Sequence, residues 1–302
     1  MSIDELRTLI ERHARNGTST AIEGVLVSRV EEPVAPAASM SGTILAIIAQ
    51  GTKRLALGDR VLEYRAGQYL VASVDLPVTG HFIDASLDHP ALGFGLVLRP
   101  QVIASLLLEH RVEHRRGARG EPAPPGIAVS DASDELIDAA VRMLRLLDHP
   151  RDIPVLAPMI EREILWRLVT GEQGATVRQL GLADSNLARV SHALEWLRDH
   201  HAEPVRVDEL ADMSGMSVSA FHRNFRAVAS MSPIQFQKQI RLQEARLLLV
   251  TSPNDVAGAG YAVGYDSPSQ FSREYRRQFG TSPGRDATLL RAPPSLAPSA
   301  IP

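Results

Sequence analysis

Ser267-Pro-Ser-Gln-Phe-Ser-Arg-Glu-Tyr-Arg-Arg-Gln-Phe-Gly-Thr-Ser-Pro283 decides how this chain is read, because it is the second copy of a pattern. Fifty residues earlier stands Ser217-Val-Ser-Ala-Phe-His-Arg-Asn-Phe-Arg-Ala-Val-Ala-Ser-Met-Ser-Pro233. Ser217 matches Ser267, Ser219 matches Ser269, Phe221 matches Phe271 and Arg223 matches Arg273. Phe225 matches Tyr275, Arg226 matches Arg276, and Ser232-Pro233 matches Ser282-Pro283. So many like residues at one offset mark an internal repeat.

In each copy the aromatics fall at i and i+4, so they share one helical face and are expected to be buried. Arg223, Arg226, Arg273 and Arg276 then fall off that face. Ser217 and Ser267 can cap their helices, and Gly215 and Gly264 stand two or three residues before them. Helix, Gly turn and capped helix in that order is the sequence form of a helix-turn-helix. Two merely solvated amphipathic helices would share the outward arginines. They would need neither the duplication nor the turns and caps.

The stretch Ala262-Val-Gly-Tyr-Asp-Ser-Pro-Ser-Gln-Phe-Ser-Arg-Glu-Tyr-Arg-Arg-Gln-Phe-Gly-Thr-Ser-Pro283 resembles the signature of AraC/XylS-type transcription regulators. Residues 230–249 are similar to the joining helix of one branch of that family. Two departures stand out. Asp286 occupies the Tyr position of the family's closing Pro-x-x-Tyr-Arg, and Gly258 and Gly260 replace Ala in a helix, at about 1 kcal/mol each relative to Ala.

With 302 residues the chain is long enough for two domains, each with its own core. The absence of Cys excludes disulfides, thiolate metal sites and cysteine nucleophiles. The N-terminus lacks an apolar signal region and no run approaches the roughly 18 apolar residues of a membrane span, so a soluble, cytoplasmic protein is expected. Net charge is −3, but residues 217–291 hold ten basic against five acidic side chains, leaving −8 on the remainder. A basic module joined to an acidic one fits a nucleic-acid reader attached to something else.

Residues 1–17 show helical spacing, and the period then changes to two. Strands are expected at Val25–Val27, Thr43–Ala49, Arg54–Leu57, Val61–Tyr64, Tyr69–Ala72, His81–Ile83 and Phe94–Leu98, punctuated by Gly51, Gly58-Asp59, Gly67 and Pro77. An antiparallel barrel or sandwich is the natural solution. The runs Gln50–Asp59 and Tyr69–Pro77 resemble the N-terminal, cupin-like region of the same AraC branch. Such a barrel raises the alternative of a cupin-type metal enzyme fused to a DNA-binding module. However, His81 and His89 lack the clustered His-x-His plus Glu such an enzyme uses. His110 and His114, at i and i+4, sit among charged residues as at a solvated helix end, and adjacent His200-His201 point in different directions. No metal or other cofactor is expected. There is no Gly-x-Ser-x-Gly elbow and no phosphate loop, and Gly93-Phe-Gly95 lacks the third glycine of a dinucleotide site, so no enzyme is expected.

The expected architecture is α+β: an N-terminal antiparallel β-barrel (cupin-like) with flanking helices, then an all-α domain with two helix-turn-helix motifs. Residues 1–170 form the first domain, with a connector at 117–126 and helices at 133–147 and 155–170. The apolar stripes of those two helices suit packing against the barrel, pairing with a second subunit, or both. Residues 171–185 are expected as a linker, 186–291 as the DNA-binding domain and 292–302 as a disordered tail. A joining helix at 233–250 would be about 27 Å long. That comes near the roughly 34 Å between successive major-groove faces on one side of a duplex.

Base contacts are expected from Ser219, His222 and Arg223 in the first copy and from Ser269, Gln270 and Arg273 in the second, since Arg suits guanine and Gln suits adenine. Arg226 and Arg276, one turn on, suit phosphates, as do the helix N-termini at Ser217 and Ser267. The resemblance implies double-stranded promoter DNA, RNA polymerase and a second copy of the chain as partners, and a small-molecule effector in the barrel. A protein–protein adaptor would instead turn the arginine faces to an acidic partner.

Overall fold

The computed structural model describes residues 3–14, 18–32, 36–110, 122–252 and 255–290. The chain divides into two units, one taking in Met1–Arg189 and the other Val190–Arg226 and Met231–Ala297.

The first unit opens with α1 (Ile3–His13), whose Leu6, Leu9 and Ile10 are buried at helical spacing. Eight strands follow: β1 (Val25–Val30), β2 (Ala37–Met40), β3 (Ile44–Gln50), β4 (Thr52–Leu57), β5 (Arg60–Arg65), β6 (Gln68–Ala72), β7 (Pro77–Phe82) and β8 (Ala91–Val97). After α2 (Pro100–Glu109) come β9 (Ile127–Asp131), α3 (Asp134–Arg145), α4 (Ile153–Thr170) and α5 (Gly174–Leu180). The strands pair antiparallel in two sheets, ordered β1-β8-β3-β6-β9 and β2-β7-β4-β5. The expected barrel is therefore two antiparallel sheets that do not close.

Every residue of β3 is buried, as a strand covered on both faces requires. Leu45, Ile47 and Ala49 join Phe94, Leu96 and Val71 in a core shared with α1, α3 and α4. Ile44, Ala46 and Ile48 face the other way, toward the buried side of the four-stranded sheet. Its β4 alternates in kind: Lys53, Leu55 and Leu57 are buried, Arg54 is exposed.

Several elements depart from the sequence reading. β7 begins at Pro77, taken above as punctuation and His81–Ile83 as the strand; proline is tolerated at the first residue of a strand. Short, Ala- and Ser-rich β2 and the late strand β9 carry no alternation strong enough to read. Residues 171–185, expected as a linker, contain α5, which packs on α2 and α4 and buries Val177 in the first core. The tail at 292–302 and residues 117–121, half of the connector at 117–126, lie outside the described residues.

The second unit is helical: α6 (Asn186–Asp199), within which the division falls, α7 (Val207–Met213), α8 (Val218–Ala229), α9 (Pro233–Thr251), α10 (Val256–Ala262), α11 (Pro268–Phe279) and α12 (Pro283–Leu290). α9 opens with a full capping box, Ser232 and Gln235 each bonding the other's backbone N–H, with Pro233 at the first turn. Its 19 residues make a rod about 28 Å long.

Candidate nucleic-acid interface

α7 with α8, and α10 with α11, are the two helix-turn-helix pairs. Their turns pass through Gly215 (φ 60°) and Gly264 (φ 86°). At Gly264 a Cβ would also collide with the Ala202 carbonyl, so both the backbone conformation and the space demand glycine. The repeat extends to a position where the residue types differ. Gly280 ends α11 in the left-handed region (φ 73°), and its counterpart Ser230 takes φ 57° despite its side chain.

Ser217 caps α8 through Oγ, which accepts from Ala220 N–H at 3.3 Å, and Ser267 caps α11 by accepting from Gln270 N–H at 3.4 Å. Phe221, Phe225, Phe271 and Tyr275 are fully buried. Phe225 meets Phe236 edge-on at 5.9 Å between ring centres. On the opposite faces, Ser217, Ser219, His222, Arg223 and Arg226 are exposed on the first copy, and Ser269, Gln270, Arg273 and Arg276 on the second, with Ser267 half-buried.

The four outward arginines differ from most other arginines of the chain. In the first unit Arg12 pairs with Asp148, Arg99 with Glu161, Arg142 with Asp138 and Glu163, and Arg162 with Glu109. Among the described residues no carboxylate is paired with Arg223, Arg226, Arg273 or Arg276. Their guanidiniums stand in water with all donors available, the state from which bidentate contact to phosphate or guanine is made.

Behind this surface the second unit is locked by groups that the pattern alone does not single out. Arg241, midway along α9, donates from Nε to the His201 carbonyl (2.6 Å), from Nη1 to the Gly264 carbonyl (2.8 Å) and from Nη2 to the Ala202 and Glu203 carbonyls. Burial lowers its pKa, but these carbonyl acceptors satisfy the charge. Gln237, one turn earlier, donates to the carbonyls of His201 and Glu203. A cation in mid-helix was the available signal; its acceptors, 23 to 40 residues away, were not readable.

The two departures from the family pattern have local causes. Asp286 lies where Phe236 lies in the first copy. It accepts from Tyr275 Oη at 2.7 Å and from Arg246 Nε at 2.8 Å and Nη2 at 3.3 Å. An aromatic contact in one module is thus replaced by a buried hydrogen-bonded ion pair in the other, with the Arg246 guanidinium 4.9 Å from the Phe279 ring centre. The Asp286 charge and burial together push the Tyr275 hydroxyl far above its ordinary range, burial first. At Gly260 a Cβ would stand 3.1 Å from the Phe271 ring, and at Gly258 it would collide with the Asp255 carboxylate that caps the helix.

The histidines weighed as metal ligands are scattered. His81 is half-buried, its pKa lowered by desolvation and then by Arg54, whereas His89 is exposed. The His110 ring lies 4.8 Å from that of Trp166, and His114 lies outside the described residues. His200 stacks on Trp196. Among the described residues no group of three or more His, Cys, Asp or Glu could hold a metal ion, and no helix is long and apolar enough to cross a membrane.

Comparison with known proteins matches residues 21–176 to the N-terminus of AraC-type transcriptional regulators and residues 210–287 to a helix-turn-helix domain. The HTH-type transcriptional activator RhaS of Escherichia fergusonii is 36 % identical over 107 residues, 34 % of this chain and 38 % of that protein. RhaS of Escherichia coli O1:K1 / APEC is 32 % identical over 154 residues, 49 % of this chain and 54 % of that protein. The chain thus covers well under two thirds of either relative. Wild-type ToxT from Vibrio cholerae strain SCE256, crystallised with an unsaturated fatty acid bound, aligns over 94 % of this chain and 99 % of its own with a TM-score of 0.53. At 10 % identity that likeness shows the fold alone.

Proposed function

Since this chain belongs to the AraC-type transcriptional regulators, we propose that α8 and α11 read double-stranded DNA in successive major grooves and that the first unit receives a small-molecule effector. The observation that carries the reading is the doubled face of exposed, unpaired arginines, each set on a capped helix whose other side is buried aromatic. Ser219, His222, Arg223, Ser269, Gln270 and Arg273 read base edges. Arg226, Arg276 and the N–H groups at Ser217 and Ser267 hold phosphates. An adaptor for an acidic protein would use the same charges but has no need of two copies in helix-turn-helix form.

The working molecule is a cytoplasmic homodimer that acts with RNA polymerase at a promoter. Val155 and Met159, apolar and 66 % and 63 % exposed on α4, support pairing of two copies there, while Ile160, Ile164 and Leu165 of the same helix fill the first core. The relatives' designation as transcriptional activators supports the polymerase contact. The bound fatty acid of ToxT supports an effector in the first unit.

Gel shift on the promoter of a neighbouring gene tests the DNA reading. Arg223→Ala and Arg273→Ala are each expected to cost about 1–3 kcal/mol and to relax preference at one position. Arg226→Ala and Arg276→Ala are expected to weaken all duplexes alike and to lower the salt dependence by about one counterion each. A double Arg223→Ala, Arg273→Ala variant that binds as tightly and selectively as the parent would overturn the assignment.

A further inference from the structure

A cleft of about 170 Å³ opens in the first unit between the sheet edge formed by β1 and β8, the end of α3 and the first turns of α4. Ile22, Val25, Leu96, Met143 and Ala157 line it and are all buried. An apolar cavity of about 150 Å³ holds a benzene molecule, so this one has room for a single ring or a branched alkyl group.

The polar side chains at the same cleft are Glu23, Arg99 and Glu161. Glu161 is 5 % exposed, and Arg99 donates to it from Nε at 2.8 Å and from Nη2. That pair is complete and neutral. Glu23 is exposed, stands near enough to Arg99 to act on it by charge, and has no ion pair of its own among the described residues. Two carboxylates against one guanidinium leave the cleft with a surplus negative charge. Acceptors are in surplus as well: Pro158 has no N–H to give the carbonyl of Pro154, four residues earlier, and both residues line the cleft. Pro154, in the first turn of α4, also removes one of the N–H donors that an anion would seek at a helix N-terminus. An ammonium group offers only donors and one positive charge, the complement of this set.

We propose that the cleft takes a small primary amine with an apolar body, its ammonium held between Glu23 and Glu161 and its ring or alkyl group laid among Ile22, Met143 and Ala157. The proposal rests on the reading of the first unit as an effector domain and names the class of effector. A carboxylate would meet the Glu23 charge, and the guanidinium that could offset it is committed to Glu161. A sugar would require more hydrogen-bonding groups than these walls offer.

The test is isothermal titration of the full chain with benzylamine, phenethylamine and isoamylamine, against phenethyl alcohol and hydrocinnamate. At least one amine is expected to bind, with the alcohol and the acid at least about tenfold weaker. Glu23→Gln, at an exposed position, is expected to weaken that amine about fivefold. Ala157→Leu, which fills the cleft, is expected to abolish its binding, and both variants are expected to keep their circular dichroism and their binding of the promoter duplex. The proposal is overturned if no amine binds, if the alcohol or the acid binds as tightly as the amine, or if either variant takes the amine as the parent does. The effector reading is judged separately, by gel shift with and without the amine. An amine that binds this cleft and leaves the affinity for the duplex unchanged keeps the site and removes its effector role, whereas a chain that takes no amine but is stabilised by another metabolite keeps the effector reading and loses this site.

Discussion

Replacing Asp286 by Ala is expected to weaken the second helix-turn-helix more than any surface change could. Asp286 is 4 % exposed and is the acceptor for both Tyr275 and Arg246. Removing one member of a buried ion pair costs about 3–5 kcal/mol, because the remaining charge stays desolvated. Arg246 keeps 26 % of its side-chain surface in water and regains part of that, which places its share at the low end. The Tyr275 hydroxyl, fully buried, is left without an acceptor at a further cost of about 1–3 kcal/mol, not fully additive with the first. A loss of about 4 kcal/mol results, equivalent to a fall in melting temperature on the order of 15 °C or more for a unit of this size. Urea unfolding of the full chain, followed through Trp196 in a Trp166→Phe background, measures it. A companion variant with Arg246→Met, Tyr275→Phe and Asp286→Leu removes every polar member at once and is expected to lie within about 1–2 kcal/mol of the parent. A loss under about 1 kcal/mol for Asp286→Ala, or a companion that is worse than the single variant, would refute the view that the network is held by mutual satisfaction.

Three further outcomes follow from the same geometry. Lys53 has a folded pKa of about 7 against 10.5 when unfolded, so the unfolded state holds more protons between those values and stability of the first unit rises with pH across that window. Below about pH 7 the burial cost is fully present, on the order of 5 kcal/mol; Lys53→Met is expected to raise the melting temperature at pH 6 and flatten the climb between pH 7 and 10. Gly260→Ala inverts the usual helix rule: in place of a gain of about 1 kcal/mol it is expected to destabilise by about 1–3 kcal/mol, since the added methyl meets the Phe271 ring at 3.1 Å, and chemical denaturation reads the sign. Ser230→Gly relieves a left-handed residue at φ 57° and is expected to gain about 1 kcal/mol by the same measurement, whereas Gly280→Ala is expected to lose a similar amount.

Periodicity made the recognition helices legible because their burial is decided within four residues. Phe221 and Phe225 inward, with Arg223 and Arg226 outward, is what one turn of helix imposes on that spelling. The strands were legible where they alternate or run apolar, as at β3 and β4, and not where pairing is the whole signal. β2 reads Ala-Ala-Ser-Met and is held by its ladder to β7, and Pro77 looked like a stop although it begins a strand. α5 looked like a joint because its composition is small and polar, yet Val177 is buried in the first core and Leu180 packs against it. The locking groups were hidden for another reason. Asp286 with Arg246, and Arg241 with the His201 and Gly264 carbonyls, join residues 23 to 40 apart, a range over which local spelling carries no record of partnership.

Arg241 touches carbonyls from the loop between α6 and α7 and from the turn of the second pair with a single guanidinium, so the lead-in to the first helix-turn-helix pair and the turn of the second share one rivet. A molecule joined in this way has little freedom to stretch or swivel between its two footholds. Its targets would then keep the intervening base pairs constant in number, and inserting half a helical turn, about five base pairs, would rotate the second foothold to the far side of the duplex. Variation in the operator would be confined to the letters at each end of that ruler.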